Sequence, residues 1–358
     1  MHKNILSLSL TTTLMTGLPA YAEPLNISGE VVMELQNEYT ADSDDTATDE
    51  HNDLFFRTEV APTVQLNDHF FIDGVAVLER TQDRKPNKDN WFNNEGIFIE
   101  EIKLNYEHGP WGIMAGKFNP KFGTAWDFGR GIWSEDFAED YEITERIGIG
   151  ASYRFDTENA GAHTFSASTF FADTSFLSGS TVTNRGRTEK SDGGTANTED
   201  FSSYVLSLEG ENTAGIEHLY YQLAYRDQVD GDADITAKRE HGYAATLGYV
   251  FDVTDRLRTN ALLEYVDIHH YGTGPNDNRY VTASFVNTLD ENWNMTFGYT
   301  ARHIDVSGSN DTDDHLLQIS GGYDFEQGTT AEIGWKNTEE SGSDSNIIGA
   351  LIRHTLAF

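Results

Sequence analysis

From about residue 25 onward the chain alternates apolar and polar positions in short runs. Trp293, Met295, Phe297 and Tyr299 share one parity; Asn294, Thr296, Thr300 and Arg302 share the other. Leu219, Tyr221, Leu223 and Tyr225 oppose Gln222, Ala224 and Arg226. Leu54, Phe56, Val60, Val64 and Leu66 oppose Arg57, Glu59, Thr63 and Gln65. A period of two marks a strand with two unlike faces. Sixteen strands are predicted, over 25–39, 53–66, 69–81, 96–107, 111–119, 143–155, 163–174, 201–210, 217–227, 240–251, 256–268, 279–289, 292–304, 314–325, 329–337 and 346–358. They run to roughly ten residues, the length a tilted strand needs to cross a bilayer.

The connections alternate in length. Asn67-Asp68, His108-Gly-Pro110, Asp252-Val-Thr-Asp255, Asp290-Glu291 and Glu326-Gln-Gly328 are short. Between them lie long segments at 40–52, 82–95, 120–142, 175–200, 228–239, 269–278, 305–313 and 338–345. Short turns on one rim and long loops on the other form the bacterial barrel pattern, and an even count puts both termini on the short-turn side. The Ser-, Thr-, Gly- and Asn-rich 175–200 segment reads as a mobile loop. It is long enough to hold a further hairpin, which leaves counts of fourteen or eighteen open.

Alternation alone would also suit a soluble sandwich. The polar face here carries charge repeatedly, which suits a water-filled lumen. The chain ends on a strand whose Ile348, Ala350, Ile352, Leu356 and Phe358 share a side broken only by His354. An open sheet edge cannot stay unpaired in lipid, so a last strand ending on an aromatic fits one that closes a ring. The fold class expected is all-β: a membrane-spanning antiparallel β-barrel in the outer membrane. Aromatics near strand ends, among them Tyr39, Tyr106, Trp111, Tyr249, Trp293 and Phe325, suit two interfacial girdles.

Composition sharpens this picture. Residues 1–22 read as a cleaved signal peptide: His2 and Lys3, an apolar stretch from Ile5 to Leu18, then Ala20-Tyr21-Ala22. The barrel domain is then 23–358. No other segment approaches eighteen apolar residues, which excludes a helical membrane protein and leaves a barrel open. The lack of Cys suits passage through an oxidising periplasm. A formal net charge of −35 excludes nucleic acid as a partner, because backbone phosphates would be repelled. Acidic runs at Asp42-Ser-Asp-Asp45, with Asp49, Glu50 and Asp53, and at Asp311-Thr-Asp-Asp314 read as solvated loops or weak divalent-cation sites. Neither has calcium-loop spacing.

The most unusual segment is 120–142. It combines Phe122, Trp126, Phe128, Trp133 and Phe137 with many acids. A solvent-exposed loop has no need of such aromatics. Folding inward against the barrel wall would bury them and leave carboxylates projecting into the lumen.

Here the chain resembles the general, non-specific porins, trimeric sixteen-stranded barrels. The strand count, the terminal Phe358 and a third loop opening with Asn119-Pro-Lys-Phe-Gly123 carry the resemblance. It implies a loop whose carboxylates face basic wall residues across a constriction. The candidate acids are Asp127, Glu135, Asp136, Glu139 and Asp140. Arg57, Lys103 and Arg146 fall on the lumen face by parity and match the family's usual placement of the basic cluster. The loop's second half, Gly129-Arg-Gly-Ile-Trp133, departs from the family. The resemblance also implies that the second loop latches onto a neighbour, here through Arg84, Lys85 and Lys88; contact with lipopolysaccharide phosphate or plain solvation is the alternative.

Opposed rows of charge set ion preference, and the acid excess predicts cations. The expected role is passive diffusion of small hydrophilic solutes and ions by a homotrimer in lipid and lipopolysaccharide, with no cofactor, metal or enzymatic step. A sugar- or phosphate-selective channel is the runner-up. A barrel phospholipase is a further rival, with His354 on the lipid side by parity. His269-His270 is a poor metal pair unless the backbone turns there, since strand neighbours point to opposite faces. No Gly-x-Ser-x-Gly elbow is present.

Overall fold

A computed structural model describes residues 26–45, 50–82, 85, 88–128, 131–133, 136–231 and 238–358. The signal segment 1–22, Arg84 and Glu135 lie outside the described residues. Among the described residues eighteen β segments are formed, of which Asn90–Trp91 and Thr181–Val182 are two residues long. The other sixteen make the wall: β1 Asn26–Ser43, β2 His51–Gln65, β3 Phe70–Arg80, β4 Glu95–His108, β5 Trp111–Phe118, β6 Arg146–Thr157, β7 Gly161–Ala172 and β8 Ser203–Glu211. The second half continues with β9 Leu219–Gln228, β10 Glu240–Thr254, β11 Leu257–His269, β12 Asp277–Leu289, β13 Trp293–Asp305, β14 Thr312–Phe325, β15 Thr329–Glu340 and β16 Ser343–Ala357.

Each wall strand pairs antiparallel with the next, and β16 pairs with β1 from Glu30↔Ala357 to Ser43↔Ser345, closing the barrel. Closure extends to the last residue, where Phe358 and Gly29 exchange two backbone hydrogen bonds of 3.0 Å. A Cβ on Gly29 would stand 2.7 Å from the Phe358 ring and 2.5 Å from the Ala61 carbonyl oxygen, so a side chain there would block the seam. With no edge left, the backbone groups of the wall are satisfied without water.

The outer face carries exposed Leu223, Leu247, Leu263, Phe285, Ile333 and Ile352, the apolar band of a lipid-facing wall. Trp293 and Tyr323 pack at 4.9 Å near the short-turn rim, and Tyr225 and Tyr243 at 5.1 Å toward the other, as aromatic girdles do.

Two long connections differ from expectation. The 338–345 segment is a two-residue turn, Ser341–Gly342, with φ of +54° and +81°. Two successive positive φ values fit the turn that best matches strand twist. The run from Asn337 to Asn346 is polar because it stands above the membrane, where an extended strand needs no apolar face. The 175–200 segment is not a free loop either. Its Thr181–Val182 pairs with Gly96–Ile97 of β4. The eight-residue β5 leaves the wall at Phe118, so the upper edge of β4 would stand bare; the fourth loop covers it. The strand count therefore stays at sixteen.

This patch is pinned by charge. The Lys117 ammonium, 1% exposed, lies 2.7 Å from Glu145, 2.8 Å from Asp173 and 3.1 Å from the Leu177 carbonyl. Arg185 from the fourth loop donates to both oxygens of Glu145 at 2.8 and 2.6 Å and stacks 3.8 Å from the Phe98 ring.

Candidate functional site: the lumen and its inward-folded loop

The described residues of the third loop, 119–128, 131–133 and 136–145, fold into the barrel and pack on the lumen faces of β9–β16 and β1. Its motif has a physical reading. Phe122 is fully buried beneath the Arg226 guanidinium, 4.6 Å from the ring centroid. Gly123 has φ of +76°, and a Cβ there would meet the Tyr141 ring at 2.9 Å and Glu264 at 3.2 Å. This sharp turn lets the loop backbone lie on Glu264 of β11.

Glu264, 1% exposed, gathers five donors. Its Oε2 accepts from Thr124 N at 2.7 Å, Thr124 Oγ1 at 3.0 Å and Thr246 Oγ1. Its Oε1 accepts from Ala125 N at 3.1 Å and Tyr141 Oη at 2.6 Å. A carboxylate buried this deeply is tolerated because its lone pairs are met.

Farther along the loop, Trp133 is buried, and its Nε1 donates to Glu38 of β1. Gly334 and Gly349 make room for it: Cβ atoms there would stand 3.0 and 2.4 Å from the indole. Lys336 lies 5.2 Å from the same ring and 2.6 Å from Asp136. Arg302 bonds Asp140 and Asp314, both at 2.7 Å, and stacks 4.2 Å from the Phe137 ring. Tyr271 Oη donates to the Asp140 carbonyl at 2.7 Å, and Arg226 to the Tyr141 carbonyl at 2.7 Å.

The predicted acids thus divide. Asp136 and Asp140 anchor the loop on Lys336 and Arg302. Burial raises the Asp136 carboxyl above its usual range, against the opposing pull of Lys336. Glu139 is exposed on the loop surface. Asp127 is exposed to lumen water yet enclosed by the barrel, and that partial desolvation raises its carboxyl.

Arg57, Lys103 and Arg146 all sit on lumen-facing wall positions. Arg57 lies 3.3 Å from Glu79 and 3.6 Å from Glu59, and Lys103 pairs with Glu101. The buried Nε of Arg146 makes no hydrogen bond among the described residues. Sequence reading missed Glu100 and Glu101. A register shift opposite Val75–Ala76 lets both lie on the lumen side, where Glu100 and Glu101 hold Asn119 at the loop's start by 2.7 and 2.8 Å bonds. It also missed that Arg226, Arg302 and Lys336 are loop anchors. No sequence signal marked them, since partners 85 to 200 residues away choose them. In the latch segment, Lys85 and Lys88 are exposed.

The loop covers much of the lumen wall, and Arg57 and Lys103 lie on the β2–β4 side away from its anchors. Around Arg57 and Lys103 the wall's charged groups are Glu34, Glu59, Glu79, Glu100 and Glu101 against Arg57, Lys103 and Arg353. A recess of about 200 Å³ lies beside them, lined by Ser152, Ser166, Ser168 and Ser207 together with Met114, Val205 and Glu107, and by Lys103 and Lys121, which pair with Glu101 and Glu209.

A closed sixteen-stranded antiparallel barrel with a loop folded into it defines the chain as an outer-membrane-type β-barrel. No protein-family model and no curated protein matches the chain. Among solved structures it is similar to the outer membrane channel DcaP of Acinetobacter baumannii, with 14% identity over 93% of this chain and 97% of that one, at a TM-score of 0.58. It is also similar to Pseudomonas aeruginosa OccK9 (OpdG), with 9% identity over 93% and 99% of the two chains, TM-score 0.56. Pseudomonas aeruginosa OccK2 (OpdF), solved in complex with glucuronate, gives 11% identity over 93% and 98%, TM-score 0.53. At such identities the likeness is one of fold. It supports the barrel that the general porins share with these channels and does not single out the general porins.

Proposed function

We propose that this protein is an outer-membrane channel through which ions and small hydrophilic solutes diffuse passively, with cations preferred. The observation behind the preference is the excess of carboxylates over cations on the lumen wall around Arg57 and Lys103. Fixed charge at close quarters sets the sign of the ions that pass. Opposed charges on wall and loop also create a transverse field that polar solutes tolerate better than apolar ones. No covalent step is involved, and flow follows the gradient. The working form is a homotrimer in lipid and lipopolysaccharide, exported by residues 1–22. The trimer and the export step rest on the porin resemblance and the leader pattern.

The test is reconstitution in a planar bilayer under a salt gradient. Large steps in groups of three with a cation-directed reversal potential support the reading. Absent steps would sink the open pore, and an anion-directed potential would sink the preference.

A second reading is favoured by the serine-lined recess. Hydroxyls between Lys103 and Lys121 suit a hydroxylated anion, and OccK2 is known with glucuronate bound. A selective channel of that kind would show concentration-dependent block of ion current by glucuronate. A general pore would show none.

A further inference from the structure

The barrel's outer surface carries a cluster that channel function does not use. His315 of β14, Glu339 of β15 and Asp344 of β16 are direct cross-strand neighbours in one row. Below them on the same face come Leu317, Asn337 and Asn346, then Ile319, Trp335 and Ile348. The row therefore lies four residues, about 13 Å along the tilted strand, beyond Trp335 and two residues beyond Leu317. That is the extracellular rim, open to solvent: His315 and Glu339 are about one-third exposed and Asp344 is exposed. One donor atom from each of the three lies within 4.8 Å of the others.

The histidine's orientation leaves a place for a cation. Asn337 Nδ2 faces three acceptors: Asp344 Oδ1 at 3.3 Å, the Ser345 carbonyl at 3.3 Å and Asn346 Oδ1 at 3.4 Å. Its Oδ1 is therefore the end turned to His315 Nε2, 3.0 Å away, and Nε2 must carry the hydrogen. The lone pair of the neutral ring then sits on Nδ1, which faces Glu339 Oε2 at 3.4 Å. Two lone pairs set face to face repel unless something positive lies between them.

A proton is one candidate, but 3.4 Å is longer than a well-formed N–H···O bond, about 2.7–3.2 Å. A tetrahedral ion with bonds of about 2.1 Å spaces its ligands about 3.4 Å apart. Asn337 acts on the imidazole as outer-shell partners do in metal sites, fixing tautomer and ring orientation. Imidazole nitrogen with two carboxylates suits zinc and its neighbours, whereas calcium and magnesium take oxygen alone.

We propose that His315, Glu339 and Asp344 form a zinc-binding site on the outer rim, with Asn337 as its positioning residue and a fourth position open to water. The ion would staple β14, β15 and β16 beside the turn at Ser341–Gly342. The three ligands lie 24 and 5 residues apart in the chain and match no ligand spacing, so only the register of the strands assembles them.

Tag-free, chelator-stripped protein in detergent would be titrated with zinc sulfate by calorimetry, with the closed barrel confirmed by its heat-dependent gel shift. We expect one zinc per chain, binding weakened at least about a hundredfold by His315→Ala and Asp344→Asn and about tenfold or more by Asn337→Ala. His303→Ala, a rim histidine paired with Asp313, leaves it unchanged. Wild-type binding no tighter than that of His315→Ala would overturn the proposal in favour of a proton. Displacement of zinc by an equal concentration of calcium would also overturn it, because a nitrogen ligand would then have no part.

Discussion

Glu264 is the point at which the inward fold of the third loop can be tested most directly. Its replacement by Ala removes the acceptor for the Thr124 and Ala125 amides and for Tyr141 Oη. The hydroxyls of Thr124 and Thr246, 3.0 Å apart, can rebond to each other. One hydroxyl hydrogen, two amides and Tyr141 Oη are left as four buried donors, each costing about 1–3 kcal/mol. Water from the adjacent lumen will reach some of them, so the net loss is about 3–5 kcal/mol. At 1.4 kcal/mol per tenfold, that shifts the docked-to-undocked balance of this stretch by about a hundredfold to several thousandfold. The anchors at Lys336–Asp136 and Arg302–Asp140 remain, so residues around 123–128 loosen while the rest stays docked. Single-channel recording should show a larger mean conductance with added flicker. Glu264→Gln should fall between, because its amide nitrogen would face the Thr124 amide while its oxygen still serves Ala125 and Tyr141. A Glu264→Ala trace matching the wild type in amplitude and noise would refute this account of how the loop is held.

Lys117→Ala leaves Asp173 buried without its ammonium while Glu145 keeps Arg185, a change that costs about 3–5 kcal/mol. The barrel should unfold at a lower temperature on heat-modifiability gels, and an unchanged transition would speak against the patch formed by the fourth loop. The raised Asp127 carboxyl means that its negative charge is lost, as pH falls, earlier than that of an exposed aspartate. Cation preference measured by reversal potential should therefore decline on acidification in the wild type at a higher pH than in Asp127→Asn; identical pH curves would remove Asp127 from the conduction path. Reversing the charges of Arg84, Lys85 and Lys88 together should break a trimer held by a second-loop latch, and native gels with the trimer intact would dismiss the latch.

The barrel was legible in the chain because its wall is a local pattern. Lipid imposes an apolar side on every second residue, so Leu223, Phe297 and Ile352 declare their face without reference to any partner. The same parity put Arg57, Lys103 and Arg146 on the lumen side. The cluster of aromatics in 120–142 likewise announced a buried loop, since such side chains need cover. Where polarity no longer reports on lipid, the reading failed: the hairpin above the membrane at Ser341–Gly342 looked like a loop. What the tertiary structure alone decided is which charges meet. Asp136 and Asp140 are acids of the loop by sequence, yet Lys336 and Arg302 turn them into anchors. Glu264 is one acid among many until five donors converge on it. Gly334 and Gly349 are gaps in a strand until Trp133 fills them. Each of these contacts joins residues far apart along the chain, and their distance in space is set by strand register and by the course of one loop, quantities that no local pattern carries.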